Sequence, residues 1–383
     1  MTKDKNIITP RQFVDELRRY QKGSVTRRHF LGVTGLGVAT AVVGGAMPGL
    51  KPRKAYAALS GTVNFTTWPN YFSQENLDNF TKNTGVKINV SIFGSNEEML
   101  AKLQAGSTGW DVFVPTNYTI STYKDLDLIE PIDLKMLPNY DASTQEARFV
   151  EPGTIGGAVY AVPKDWGTTG YVINTKNVTQ NPTSWKEFWD LTQGPLTGKV
   201  MVHDYQLTTI GNALKSFGYS FNSNDEKELA EAEKLLLAVK PHLFGINSDY
   251  QPSMRNGDAW ASVAWTGDAT QMHRDIPEIQ YVLGKEGGEI WSDFYAVPKG
   301  APNRDAAYAL IDFLLTPEIN AKEVVAHGYP SMDSRTNKLV PKEMLENPIL
   351  YPAAEALAPL EFGAAATLTN PLRAEIMARF KSA

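Results

Sequence analysis

From residue 62 onward, short runs with alternating apolar positions are interleaved with stretches whose apolar residues recur at helical spacing. In 62–66, Val63 and Phe65 share a face, and in 86–92 Val86, Ile88, Val90 and Ile92 alternate strictly, so both runs predict strands. Between them, Ser73 is placed to cap a helix that carries Leu77 and Phe80 on one face and stops at Gly85. Ser95 followed by Glu98 fits a capping box that opens a helix bearing Met99, Leu100 and Leu103. Val112-Phe113-Val114 is apolar throughout and predicts a third strand. The pattern restarts after Pro163. Strands are predicted at 170–173, 199–202, 243–246 and 260–264, with a further one beginning at 294–297. Helices are predicted at 184–191, near 214–217, at 226–240 and at 304–315, with Pro317 opening the next. No repeat period or low-complexity tract interrupts this order.

Strands alternating with helices predict an α/β protein of two lobes, each a mixed sheet flanked by helices, with a ligand cleft between them. Chain crossings near 163–167 and 288–292 would assign 58–166 plus about 292–337 to lobe 1, and 167–291 plus about 338–383 to lobe 2. In open α/β sheets ligands bind beyond the carboxyl ends of the strands. Trp68, Thr116, Asp204, Ser248 and Asp268 each follow a predicted strand and precede a helix, so they are expected to face one crevice.

Two blocks set an indole beside a carboxylate: Trp265-Thr266-Gly267-Asp268 and Trp291-Ser292-Asp293. A buried aspartate needs a cationic partner, and an indole face is the best side-chain surface for a cation. The pair of blocks therefore suggests a box for an ammonium group. The other reading of the same residues is two core tryptophans and two helix or turn caps. Tyr71, Tyr118 and Tyr329 add further rings near strand ends, and flat rings with short acids between them suit an alkyl chain that ends in an ammonium.

Residues 1–57 do not fit the α/β pattern. Arg27-Arg28 precede an uncharged run, 31–50, and then a basic block and Ala55-Tyr56-Ala57, where Ala55 and Ala57 satisfy a small-residue cleavage site. This predicts a twin-arginine (Tat) export signal, handled by the Tat translocase and cleaved near Ala57. Six glycines in the run make it too weakly apolar for a membrane anchor. The leader holds 11 of the 37 Lys+Arg and 3 of the 42 Asp+Glu, which leaves 26 basic and 39 acidic residues and a formal charge of −13 after cleavage. That balance argues against nucleic acid and anionic membranes as partners. No later run is long and apolar enough to span a bilayer, so a soluble periplasmic monomer is expected.

Chemistry for catalysis is sparse. There is no cysteine, which removes disulfides, thiol nucleophiles and thiolate metal sites. The four histidines of the mature part, at 203, 242, 273 and 327, are isolated, and no zinc-hydrolase, serine-elbow or phosphate-loop motif occurs. Neither a metal nor another cofactor is expected.

The segments Trp68-Pro69-Asn70-Tyr71, Gly94-Ser95-Asn96-Glu97, Val114-Pro115-Thr116-Asn117-Tyr118, Trp265-Thr266-Gly267-Asp268, Lys285-Glu286-Gly287-Gly288, Trp291-Ser292-Asp293, Gly328-Tyr329-Pro330 and Leu350-Tyr351-Pro352 together resemble the periplasmic spermidine/putrescine-binding proteins of ABC importers. The resemblance runs over nearly all of the chain after the leader. It implies the two-lobed type II periplasmic binding fold, a small amine ligand and an ABC permease as partner. It also implies that Trp68, Tyr71, Tyr118, Trp265, Trp291 and Tyr329 box the amine. Thr116 stands where a site serine is usual, Asp204 and Asp293 match acids of the spermidine-type site, and Asp268 matches one of the putrescine type. Asn70 stands where the putrescine type carries an acid, Leu207 near a glutamate of both types, and Gly363 near a glutamine. These departures imply a pocket short of negative charge, suited to a polyamine with a long or neutral far end, a monoamine or an ω-amino acid. The rival reading from another class is a periplasmic enzyme on the same fold. A ferric-ion carrier would want adjacent tyrosines, and none occur.

Overall fold

The first strand, β1 (Thr62–Thr67), buries Val63 and Phe65 as their alternation predicts. The computed structural model describes residues 61–106 and 109–382; the twin-arginine block, the uncharged run and the cleavage site lie outside them. β1 pairs in parallel with β2 (Lys87–Ile92) on one side and with β3 (Val112–Phe113) on the other. The helix Gln74–Thr84 joins β1 to β2. Its N-cap Ser73 accepts from the Asn76 N–H, and Gly85 ends it in the left-handed region at φ 78°. Asn96–Ala105 joins β2 to β3, with the Ser95 hydroxyl accepting from the Glu98 N–H. β2 alternates as expected but lies at the sheet edge, so its apolar face is only partly covered and Ile92 stays 47% exposed.

After a small hairpin, β4 (Thr154–Ile155) and β5 (Ala158–Val159), comes the longest strand, β6 (Ala161–Asn174). Three short strands follow in sequence: β7 (Val200–Val202), β8 (Leu243–Ile246) and β9 (Ala261–Trp265). The last three are β10 (Ile279–Val282), β11 (Gly288–Ala296) and β12 (Leu360–Phe362). One mixed sheet runs in the order β2-β1-β3-β11-β6-β9-β7-β8, with β10 against β6 and β12 against β11. β7, β8 and β9 are mutually parallel, repeating the arrangement of β1 to β3.

β6 and β11 are antiparallel and buried at every position. Both depart from expectation in the same way. The segments 163–167 and 288–292, read as crossings, are strand throughout, so β6 begins at Ala161 rather than near Gly170 and β11 at Gly288 rather than Phe294. Pro163 explains the first case, since it has no N–H to give to a ladder and reads as a break. The strands absorb it with a register shift between Asp293 and Phe294: Pro163 faces Phe294, Asp165 faces Asp293, and Lys164 is the extra residue. The first half of β6 pairs with β11, and its second half lies between β9 and β10.

One apolar cluster gathers Phe65, Leu77, Phe80, Phe113, Tyr295 and Leu310. A second lies around β7 and β9 and contains Trp185, Phe188, Trp189, Leu229, Leu236 and Phe380. No helix among the described residues is long and apolar enough to cross a membrane.

Candidate functional site

At the strand ends the chain forms a ring-lined pocket. Trp68, the residue after β1, sits on its wall, with the indole N–H donating to the Val114 carbonyl at 3.2 Å. Thr116 comes from the segment after β3, and Trp265 is the last residue of β9. The Trp68 and Trp265 rings meet edge to face, with centroids 5.8 Å apart. Trp291 and Asp293 come from β11, while Tyr71 and Tyr329 complete the ring wall with centroids 4.7 Å apart. Two glycines allow this packing. A Cβ on Gly167, directly across from Trp291, would lie 2.6 Å from the indole, and one on Gly267 would lie 2.2 Å from the Tyr329 ring.

The charged end is built on the β6/β11 register. Asp293 lies directly opposite Asp165, and the Tyr71 hydroxyl donates to Asp165 while lying 3.0 Å from Asp293 Oδ2. Lys164 Nζ is 2.6 Å from Asp165 Oδ2 and 3.6 Å over the Tyr71 ring, and both members of the ion pair are almost fully buried. The lysine thus answers Asp165 and leaves Asp293 Oδ1 with no hydrogen-bond partner. Burial, reinforced by the opposing Asp165 charge, pushes the Asp293 carboxyl well above the usual range. Burial also raises Asp165, against the pull of Lys164. His327, 3.5 Å from Asp165, is held neutral: burial and the Lys164 charge keep its pKa well below the ordinary value. A buried acid facing a ring-lined pocket, with one oxygen unpartnered, has the chemistry to hold a cation.

Five predicted site residues are not on this wall. Asp268, in the first turn of the helix Thr266–Asp275, is 1% exposed and neither of its oxygens is hydrogen-bonded. Burial pushes its pKa to about 7, tempered by the neighbouring Gln251 and Tyr250. Asp204 and Ser248 are engaged with one another, the serine hydroxyl donating to the carboxylate. The Tyr118 hydroxyl accepts from Asn96 Nδ2 at 3.0 Å, and the same amide reaches Thr116 at 3.2 Å. Asn70 is an exposed left-handed turn residue at φ 56°, and its neighbour Pro69 lines the pocket. Asn tolerates that backbone conformation better than most residues, which accounts for its presence. Asn70→Asp should therefore leave the relative affinities for putrescine, spermidine and γ-aminobutyrate unchanged within a few-fold, as read by calorimetric titration.

Sequence reading missed Pro69, Tyr205 and Glu289 on the wall. The Glu289 signal was present as a period of two, since Glu289, Trp291 and Asp293 share one face of β11. It was hidden by taking 288–292 as a crossing. Leu207, fully buried, supplies no charge. His203 is a neutral core ring, its pKa lowered to about 3 by burial and its centroid 4.3 Å from that of Trp265. Among the described residues no group of three or more His, Cys, Asp or Glu is placed to hold a metal.

Residues 75–348 match the family described as bacterial extracellular solute-binding protein. Spermidine/putrescine-binding periplasmic protein 1 of Haemophilus influenzae is 31% identical over 79% of this chain and 84% of its own length. The putrescine-binding periplasmic protein SpuD of Pseudomonas aeruginosa is 28% identical over 79% and 87%. Among solved structures, a putative spermidine/putrescine ABC transporter from Listeria monocytogenes superposes with a TM-score of 0.75 at 29% identity, covering 84% of this chain and 99% of that one. With the strand-end cavity and the mixed sheet, these likenesses settle the family: the chain belongs to the bacterial extracellular solute-binding proteins.

Proposed function

We propose that this protein captures a polyamine or related amine-bearing solute in the strand-end cavity and delivers it, without chemical turnover, to an ABC permease. The observation that carries the reading is Asp293: a buried carboxylate on the wall of a cavity lined by Trp68, Tyr71, Trp265, Trp291 and Tyr329, with one oxygen unpartnered. An ammonium there satisfies the carboxylate, and its methylenes lie against the rings. The names of the relatives, which speak of spermidine and putrescine, point the same way.

The two lobes are 58–166 with about 292–337, and 167–291 with about 338–383. The pairing of Trp166 with Ser292 and of Gly167 with Trp291 supports these limits, because both cuts fall at the same level of the β6/β11 ladder. Closure would bend that ladder around the solute. The protein works as a monomer in the periplasm.

A thermal-shift screen of the processed protein against putrescine, spermidine, monoamines and γ-aminobutyrate tests the reading. A solute at about 100 times its Kd should add ~2.7 kcal/mol of stability. No shift with any amine would reject it, and disappearance of an amine on incubation would favour the enzyme alternative. Export by the Tat route, with the mature chain starting close to Ala58, rests on Arg27-Arg28 and Ala55-Tyr56-Ala57. Replacing both arginines by lysine should leave folded precursor in the cytoplasm, read by fractionation; normal periplasmic accumulation would refute it.

A further inference from the structure

We infer that Glu289 is a second cation receptor in the cavity and that, with Asp293, it selects polyamines by length, favouring a long chain over a short diamine. This rests on the amine reading above and assigns a role to a residue outside the acids considered so far. Glu289, Trp291 and Asp293 are consecutive same-face residues of β11, and all three line the cavity. The strand thus presents an acid, an indole and an acid in line. Glu289 is 1% exposed, and its Oε2 accepts from Thr169 Oγ1 at 2.7 Å and Thr208 Oγ1 at 3.2 Å. Hydroxyls from β6 and from the helix Gln206–Ser216 therefore fix the carboxylate from two sides. Among the described residues no Lys, Arg or His nitrogen comes within ion-pair distance of it. A carboxylate this deeply buried with hydroxyl partners alone is costly to ionise, and burial raises its pKa to about 7.

The spacing sets the ligand. Four residues of strand place the Glu289 and Asp293 Cα atoms ~13 Å apart. Because the Trp291 ring stands between the two acids, the ammonium groups sit over the carboxylates, ~10–13 Å from one another. An extended chain advances ~1.25 Å per bond of ~1.5 Å, so the two nitrogens of putrescine are ~6 Å apart and the terminal nitrogens of spermidine ~11 Å apart. Putrescine can engage one acid at a time. Spermidine reaches both, with its inner amine and methylenes over the indole, where a cation is also favoured.

Calorimetric titration of α,ω-diamines of graded length, together with spermidine, into the full mature protein tests this. In wild type the affinity should climb with length and level off where the chain reaches Glu289. In Glu289→Gln, nearly isosteric, spermidine should lose about ten- to a hundred-fold and putrescine less than about three-fold, which flattens the profile. Glu289→Asp, which keeps the charge but draws it back by about one methylene, should move the plateau to a longer chain and guards against a folding defect in the amide variant. Equal losses for long and short amines in Glu289→Gln, or a plateau that stays put in Glu289→Asp, would overturn the inference while leaving the amine reading intact. Failure of every amine to bind wild type would overturn both.

Discussion

Asp293→Asn is expected to weaken binding of the cationic solute by about a hundred- to several thousand-fold while leaving the ligand-free protein as stable as its parent or more so. The carboxylate is 4% exposed, one oxygen has no partner, and the opposing Asp165 already holds Lys164. Without a ligand, burial and Asp165 both disfavour the ionised form of Asp293, so an amide of the same shape replaces a neutral acid and adds no buried charge. With a ligand, the same change removes one half of a desolvated ion pair, which costs ~3–5 kcal/mol. Titration calorimetry and thermal melts on one preparation give both signs. Binding within a few-fold of wild type would remove Asp293 from the site, and a large loss of ligand-free stability would make its role one of packing. Lys164 explains why the neighbouring acid cannot substitute: its ammonium, 3.6 Å over the Tyr71 ring and 2.6 Å from Asp165, already occupies the place a second solute cation would take there.

The ligand-free protein should also be more stable near pH 5 than near pH 8, whereas its affinity for an amine should run the opposite way. Burial raises Asp268, Glu289 and Glu323 each to about 7, from ordinary values of 3.8, 4.5 and 4.5. A carboxyl whose folded pKa is raised holds its proton more tightly in the native state than in the unfolded one. Stability is therefore lost as pH climbs from the unfolded value through the folded one, the window from about 4 to 7. Each group contributes ~3–4 kcal/mol across it, offset in part by the buried neutral His203 and His327, whose lowered pKa values act with the opposite sign. Binding of an ammonium favours the ionised form of the acids that meet it, so Glu289 and Asp293 release protons on binding and affinity rises with pH. Melts at several pH values, and calorimetry in buffers of differing ionisation enthalpy, read the two slopes. A ligand-free stability that increases from pH 5 to 8 would contradict the raised pKa values of these buried acids.

The local order of this protein was legible because its cause is local. Ser73 and Ser95 cap their helices through hydroxyls that bond N–H groups within a single turn, and Gly85 stops its helix by a left-handed φ that glycine adopts without strain. Trp68 and Thr116 could be placed together because the parallel strands β1 and β3 end on the same side, and Trp265 meets them from β9, which runs the opposite way across the β6/β11 ladder. Glu289 was out of reach because its meaning depends on β11 being strand from Gly288, which in turn depends on pairing with β6, more than a hundred residues away in the chain. Pro163 is a break in sequence and a bulge in the sheet, and only a partner strand can turn the one into the other. Whether an acid faces solvent, a serine or a cavity is likewise a tertiary matter: Asp204 spends its charge on Ser248, Asp165 on Lys164, and Asp293 on neither. Sequence alone determined the α/β pattern, the aromatic and acidic character of the strand ends and the family they resemble, since each is written in residue type and short-range spacing. The tertiary structure decided which acids remain free for a ligand, because that depends on which charges the fold brings within a few ångströms of one another.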